Sequence, residues 1–145
     1  MNKKHTKIVI YFLMSLVISL FVAACSSSKS SDDFLKNNWK LVSIGGESAL
    51  PNLDVTALFD GSGGLSGFAG CNDYIGNYGV STNQLQINVT KTTSNLCDLP
   101  IMTQEKAFLD SLSSAISFEF IDSPNLASVS DVNGKTMMTL ERFTP

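Results

Sequence analysis

Apolar and polar residues alternate along much of the chain, and a period of two is typical of β-strands with one buried face. The alternation is clearest from Trp39 to Ile44, from Val55 to Asp60 and from Leu85 to Val89. Similar short stretches follow in SFEFI, NLASVS and KTMMTLERF. Turns rich in glycine, asparagine and aspartate separate them at short intervals, which indicates hairpins and an antiparallel sheet of about eight strands.

One segment has a helical period instead. In PIMTQEKAFLDSLSSAI, residues 100–116, apolar positions recur every three or four residues at Phe108, Leu112 and Ile116. Pro100 suits a first helical turn. We expect one amphipathic helix between the fifth and sixth strands, covering one side of a bent sheet. The predicted fold is mostly β, with a partly open, antiparallel, barrel-like sheet and one helix.

The N-terminus follows neither pattern. Three lysines precede an apolar run from Ile8 to Ala24, which is the layout of an export signal. The run ends in VAAC, which resembles the lipobox cut by lipoprotein signal peptidase. We predict a lipoprotein signal peptide over residues 1–24, with a diacylglycerol group on the thiol of Cys25 and palmitate or a similar chain on its amino group. An uncleaved membrane anchor is the alternative.

The residues after the lipobox predict a membrane location and a flexible tether. Ser26, rather than an aspartate, follows Cys25, and by resemblance to enterobacterial lipoproteins this favours the outer membrane, facing the periplasm. Residues 25–33 contain the lipidated cysteine and then polar residues without apolar periodicity, so we predict a flexible tether. One domain, residues 34–145, follows and is long enough to bury a core.

Removal of the leader changes the available chemistry. The only histidine, His5, and three of the ten basic residues lie in the leader, so seven basic and 13 acidic residues remain, a formal charge of −6. Nucleic acid is a disfavoured partner because phosphate binding needs clustered lysine and arginine. Catalytic triads and zinc sites that need histidine are excluded. We expect no enzyme activity, no metal site and no cofactor.

Cys71 and Cys97 are the two thiols that remain if Cys25 is lipidated. In an oxidising compartment their simplest state is one disulfide, which would close a loop of about 26 residues. Two free buried thiols and a reactive cysteine are the open alternatives. Reactivity is disfavoured because Asp73 and Asp98 would raise rather than lower the pKa of the neighbouring thiols.

The stretch GCNDYIGNY, residues 70–78, resembles the signature of the META domain in the HslJ-type family of bacterial envelope lipoproteins. The resemblance extends from about Phe34 to Phe143, and two positions depart from the family pattern, Asp73 and Asn95. Further matching positions are Trp39, Leu41, Thr93, Cys97, Met102, Glu105, Phe108 and Leu112.

The resemblance implies a mostly antiparallel, partly open barrel with one helix and no enzyme activity. It also implies a role in envelope stress or tolerance of a hydrophobic antibiotic. The signature itself has two interpretations. It is either a scaffold, in which glycines permit turns and Asn72 bonds nearby backbone, or a recognition loop made by Asn72, Asp73, Tyr74 and Tyr78.

Three functions remain from the sequence. The favoured one is a non-enzymatic, membrane-anchored lipoprotein that binds an envelope protein partner. The second is a barrel that holds an acyl chain or another small apolar ligand, lined by Phe59, Leu85, Phe108 and Phe118. The third, and least supported, is an enzyme that uses a thiol or an acid.

Overall fold

The computed structural model describes residues 27–81 and 84–144, with side chains from Ser31 onward. The predicted signal peptide and Cys25 lie outside the described residues, so cleavage and lipidation remain predictions. Within the described residues there are two helices, α1 (Ser27–Leu35) and α2 (Leu99–Ser114). The strands are β1 (Asn38–Ile44), β2 (Glu47–Ser48), β3 (Thr56–Phe59), β4 (Gly64–Phe68), β5 (Asp73–Ser81), β6 (Gln84–Thr92), β7 (Ser117–Phe120), β8 (Leu126–Ser130) and β9 (Thr136–Phe143).

The strands form one antiparallel sheet that closes into a ring. Its order is β1-β3-β4-β5-β6-β7-β8-β9, with β9 paired back to β1, and the short β2 also pairs with β1. The mostly β fold, the antiparallel pairing and the one long helix are confirmed. The sheet has nine strands rather than about eight, and the helix follows the sixth strand rather than the fifth. Both differences come from strand β2, which the sequence pattern does not reveal. Its two residues are too few to show alternation.

Among the described residues, β6 and β7 are joined at one end only. In the described part of the chain, this joint consists of the pair Gln84↔Ser117 and a hydrogen bond of 2.7 Å from the Leu85 amide to the Ile116 carbonyl. Helix α2 packs along β6 and buries Phe108 against the core. The helix spans about 24 Å and the strand about 30 Å, so the helix is long enough to lie along most of β6.

Helix α1 corrects the predicted flexible tether. The Phe34 side chain is fully buried, with its ring centroid 4.1 Å from that of Phe118 and 4.8 Å from that of Trp39. The Trp39 indole N–H donates to the Phe34 carbonyl at 2.9 Å, and Arg142 binds the Asp33 carboxylate at 2.8 Å. The sequence hides this helix because only two of its nine residues are apolar. Its stability comes from packing in the ring rather than from its own periodicity.

We predict that Phe34→Ala lowers the free energy of unfolding by about 3–5 kcal/mol, because it leaves a cavity among the aromatic side chains. Urea unfolding of the purified chain from Ser26 onward, which includes α1 and Asp32, measures this change. The exposed Lys36→Ala variant, which loses a surface ion pair with Asp32, is the control and is expected to change stability by less than about 0.5 kcal/mol. Equal, near-zero effects of both changes would contradict a docked α1.

Candidate functional site: a clamp around Asn72

The signature residues meet where the turn between β4 and β5 faces the first turns of α2. Strand β4 ends at Phe68, and Gly70 follows with a φ of +118°, in the left-handed region that favours glycine. A Cβ at this position would lie 3.2 Å from Leu53 Cδ2. The turn therefore needs glycine, and it directs the backbone amides of Cys71 and Asn72 towards the helix.

The Asn72 side chain is the centre of this site and is 6% exposed. Its Oδ1 accepts hydrogen bonds from Thr93 Oγ1 at 2.8 Å and from the Asn95 amide at 2.6 Å. Its Nδ2 donates to Glu105 Oε1 at 2.8 Å and to the Asn95 carbonyl at 3.4 Å. These four contacts saturate the hydrogen-bonding capacity of the amide.

The Glu105 carboxylate connects α2 to the turn. Besides the bond to the Asn72 side chain, its Oε2 accepts from the Cys71 amide at 3.0 Å and from the Asn72 amide at 2.7 Å. Hydrogen bonds to an ionised acceptor are stronger than neutral ones. Both carboxylate oxygens are therefore engaged in holding the backbone.

A disulfide between Cys71 and Cys97 connects the same two parts of the chain. It confirms the predicted crosslink over the alternatives of two free thiols and a reactive cysteine. The bond ties the turn before β5 to the loop before α2. We call the disulfide and its hydrogen-bonded neighbours the clamp: Cys71, Asn72, Thr93, Asn95, Cys97 and Glu105.

The candidate recognition loop lies in a strand instead. Asp73, Tyr74 and Tyr78 belong to β5, and Asn72 directly precedes it. The Tyr74 ring is buried, its hydroxyl donates to the Thr56 carbonyl at 2.8 Å, and burial raises the pKa of the phenol. Tyr78 packs edge-on against Phe59 at 5.0 Å. Of the four residues only Asp73 is exposed, so the structure agrees with the scaffold interpretation.

Asn95 is a site residue that sequence reasoning missed. In the sequence it stands out only as a departure from the family pattern, yet its backbone amide binds Asn72 and its side chain donates to the Cys71 carbonyl at 3.3 Å. Its position two residues before Cys97 was an available signal. A crosslink from Cys97 to Cys71 places Asn95 beside the turn.

The loop held by the clamp exposes apolar side chains. Leu96 is 89% exposed, Leu99 is 77% exposed and Met102 is 37% exposed. The three lie at three-residue intervals, and Leu99 and Met102 are one helical turn apart. We call them the apolar patch. The sequence marked Met102 only as a family match and gave no sign of the exposure of the two leucines.

The described residues offer neither a metal site nor a membrane-spanning helix. No group of three or more His, Cys, Asp or Glu side chains in residues 27–81 and 84–144 is placed to hold a metal ion. Neither helix in these ranges has the length and hydrophobicity needed to cross a membrane.

The chain is similar to a known protein family and to solved structures. The family model described as the META domain matches residues 32–142, which confirms the resemblance seen in the sequence. An NMR structure of a protein from Burkholderia xenovorans is similar, with 23% identity and a TM-score of 0.62 over 86% of this chain and 94% of that one. A crystal structure of a DUF4847 family protein from Bacteroides vulgatus shares 16% identity, with a TM-score of 0.56 over 74% of this chain and 93% of that one. At these identities the two structures show a shared fold. No curated protein matches the sequence.

We predict that Glu105→Gln destabilises the domain by about 2–3 kcal/mol. The glutamine side chain has one acceptor oxygen in place of two, and its NH₂ group would face N–H donors. Urea unfolding measures the change. Asp110→Asn, on the same helix in an exposed pair with Lys106, is the matched control and is expected to be nearly neutral. A similar small effect of both variants would contradict the role assigned to Glu105.

We predict that removing the disulfide by Cys71→Ala with Cys97→Ala costs roughly 3.5 kcal/mol of unfolding free energy. The bond spans a sequence separation of 26 residues, and chain entropy in the unfolded state accounts for this magnitude. Urea unfolding of the wild-type domain with and without reductant gives the comparison. The double variant should not respond to reductant. An unfolding midpoint of the wild type that is also unchanged by reductant would refute the prediction.

Proposed function

Because this chain belongs to the META domain family, we propose that it is a non-enzymatic, lipid-anchored protein of the cell envelope that acts by binding an envelope protein. One observation carries the proposal. The polar side chains of the signature bind one another in the clamp, while the apolar patch beside them faces outward. Groups engaged in this way hold a scaffold, so the function is better sought on the surface than at a reaction centre.

The chemistry of the clamp supports a non-enzymatic role. A nucleophilic cysteine needs a free thiolate, and both cysteines of the domain are in the disulfide. A general acid or base has to reach a substrate proton, whereas both Glu105 oxygens already accept backbone or amide N–H groups. The META domain family is not known for an enzymatic activity.

The anchoring part of the proposal comes from the sequence. The apolar run to Ala24 ends in small residues and Cys25, as in a lipoprotein signal peptide. Two or three acyl chains on one cysteine would hold the protein on a membrane stably, which a single chain does not. We place the protein in the outer membrane, facing the periplasm. Its resemblance to HslJ-type lipoproteins supports a role in envelope stress or antibiotic tolerance.

A small apolar ligand inside the ring is the weaker alternative. The four side chains expected to line such a cavity, Phe59, Leu85, Phe108 and Phe118, are each at most 6% exposed and belong to one packed cluster. Phe34 also lies against Phe59 and Phe118, with centroid distances of 5.2 and 4.1 Å. A ligand at this end of the ring would have to displace the Phe34 ring.

The anchor is tested by expressing the full chain with Cys25→Ser in a bacterial host that has lipoprotein signal peptidase. We expect the variant to lose incorporation of labelled palmitate and to stay at the size of the uncleaved chain, because the modified thiol is missing. Gel mobility and metabolic labelling measure both effects. The Cys71→Ala, Cys97→Ala double variant is the control and should be labelled like the wild type. If the wild type takes up no palmitate and remains uncleaved, the lipoprotein proposal is wrong and an uncleaved anchor is favoured.

A further inference from the structure

We propose that the apolar patch, Leu96, Leu99 and Met102, is the docking surface for a protein partner that offers an apolar cleft. This inference deepens the proposed function and rests on it, because the proposed anchor at Cys25 decides which molecules the patch can meet.

The patch differs from isolated apolar residues on a surface. Single exposed leucines are common and need no explanation. Here Leu96 and Leu99 are 89% and 77% exposed, and the backbone beside them is fixed. The Asn95 amide on one side of Leu96 binds Asn72, and Cys97 on the other side is crosslinked. A loop that is already ordered loses little conformational entropy on binding, which is the condition for an effective docking element.

The position of α1 argues against the anchoring bilayer as the occupant. Phe34 contacts Phe59, which pairs with Leu65 near the start of β4 and packs against Tyr78 in the second half of β5. The clamp lies at the other ends of both strands, after Phe68 and before Asp73. From Tyr78 to Asp73 alone the strand rises about 17 Å. Helix α1, which follows the proposed anchor in sequence, is thus docked through Phe34 at the end of the ring that is remote from the patch.

Charge supports the same choice. The chain after the predicted leader has a formal charge of −6, which gives it no general attraction to anionic lipid. Protein interfaces commonly have an apolar centre with a polar, solvent-accessible rim. The exposed neighbours of the patch, Thr92, Thr93, Ser94 and Asp98, provide such a rim. The partner that fits has a cleft for aliphatic side chains and hydrogen-bonding groups at its edge.

The test begins with the full-length protein in the cells that make it. A photo-crosslinking amino acid replaces Leu99 or, as a control, Val132, which is 78% exposed in the turn between β8 and β9. That turn borders the far end of β6, beside Gln84. We expect a discrete protein adduct from position 99 but not from position 132. Adding Leu96→Ser to the same chain should reduce the position 99 adduct at least tenfold.

The adduct alone does not establish docking, so the identified partner is purified and its affinity for the full-length protein in detergent is measured. We expect Leu96→Ser with Leu99→Ser to weaken binding at least tenfold, and Val132→Ser to change it less than twofold. Unchanged urea midpoints show that the variants fold. Equal affinities, an adduct with lipid alone, or an adduct with a second copy of this chain would each overturn the inference.

Fractionation of the same cells separates the two proposals. A membrane-bound protein without a position 99 adduct would refute the docking surface and leave the anchor intact. A protein found only in the soluble fraction would overturn the anchor, and with it the argument that selects a protein over a bilayer.

Discussion

The carboxylate of Glu105 is the contact on which the arrangement of the ring and its helix depends. Among the described residues, β6 and β7 share one ladder pair, Gln84↔Ser117, and α2 packs along β6. Three hydrogen bonds to Glu105 connect the helix to Cys71 and Asn72, in the turn between β4 and β5. The helix is therefore fixed to a well-paired part of the sheet, and this position holds it along β6 with Phe108 and Leu112 buried.

Most of the architecture was predictable from local sequence patterns. The features that the patterns did not predict have physical reasons. Alternation identifies β1 and β6 because their inward residues, such as Trp39 and Leu85, are large and apolar. In β5 the alternation is hidden because an inward position is Gly76, where a Cβ would lie 2.5 Å from the Asn88 carbonyl oxygen. Close approach of two backbones requires glycine there. That requirement made a half-buried strand resemble an exposed, glycine-rich loop.

The candidate site was predictable only in part. Compartment and cysteine number predicted the Cys71–Cys97 bond, and the family pattern marked Asn72 and Glu105 as related positions. The hydrogen bonds between those two residues span 33 positions of sequence, so no local rule could assign them. The exposure of Leu96 could not be predicted from the sequence either. Leucine in a sequence usually indicates a core position, and only the closed ring shows which leucines lie outside it.

The disulfide makes the shape of the exposed loop depend on the redox state around the chain. Without the bond between Cys71 and Cys97, the loop that contains Leu96 is ordered by hydrogen bonds alone, and with the bond it is also closed covalently. A disulfide persists in an oxidising environment and is lost in a reducing one. Oxidation therefore acts as a maturation step for this surface, because it completes the rigid backbone on which the two leucines are presented.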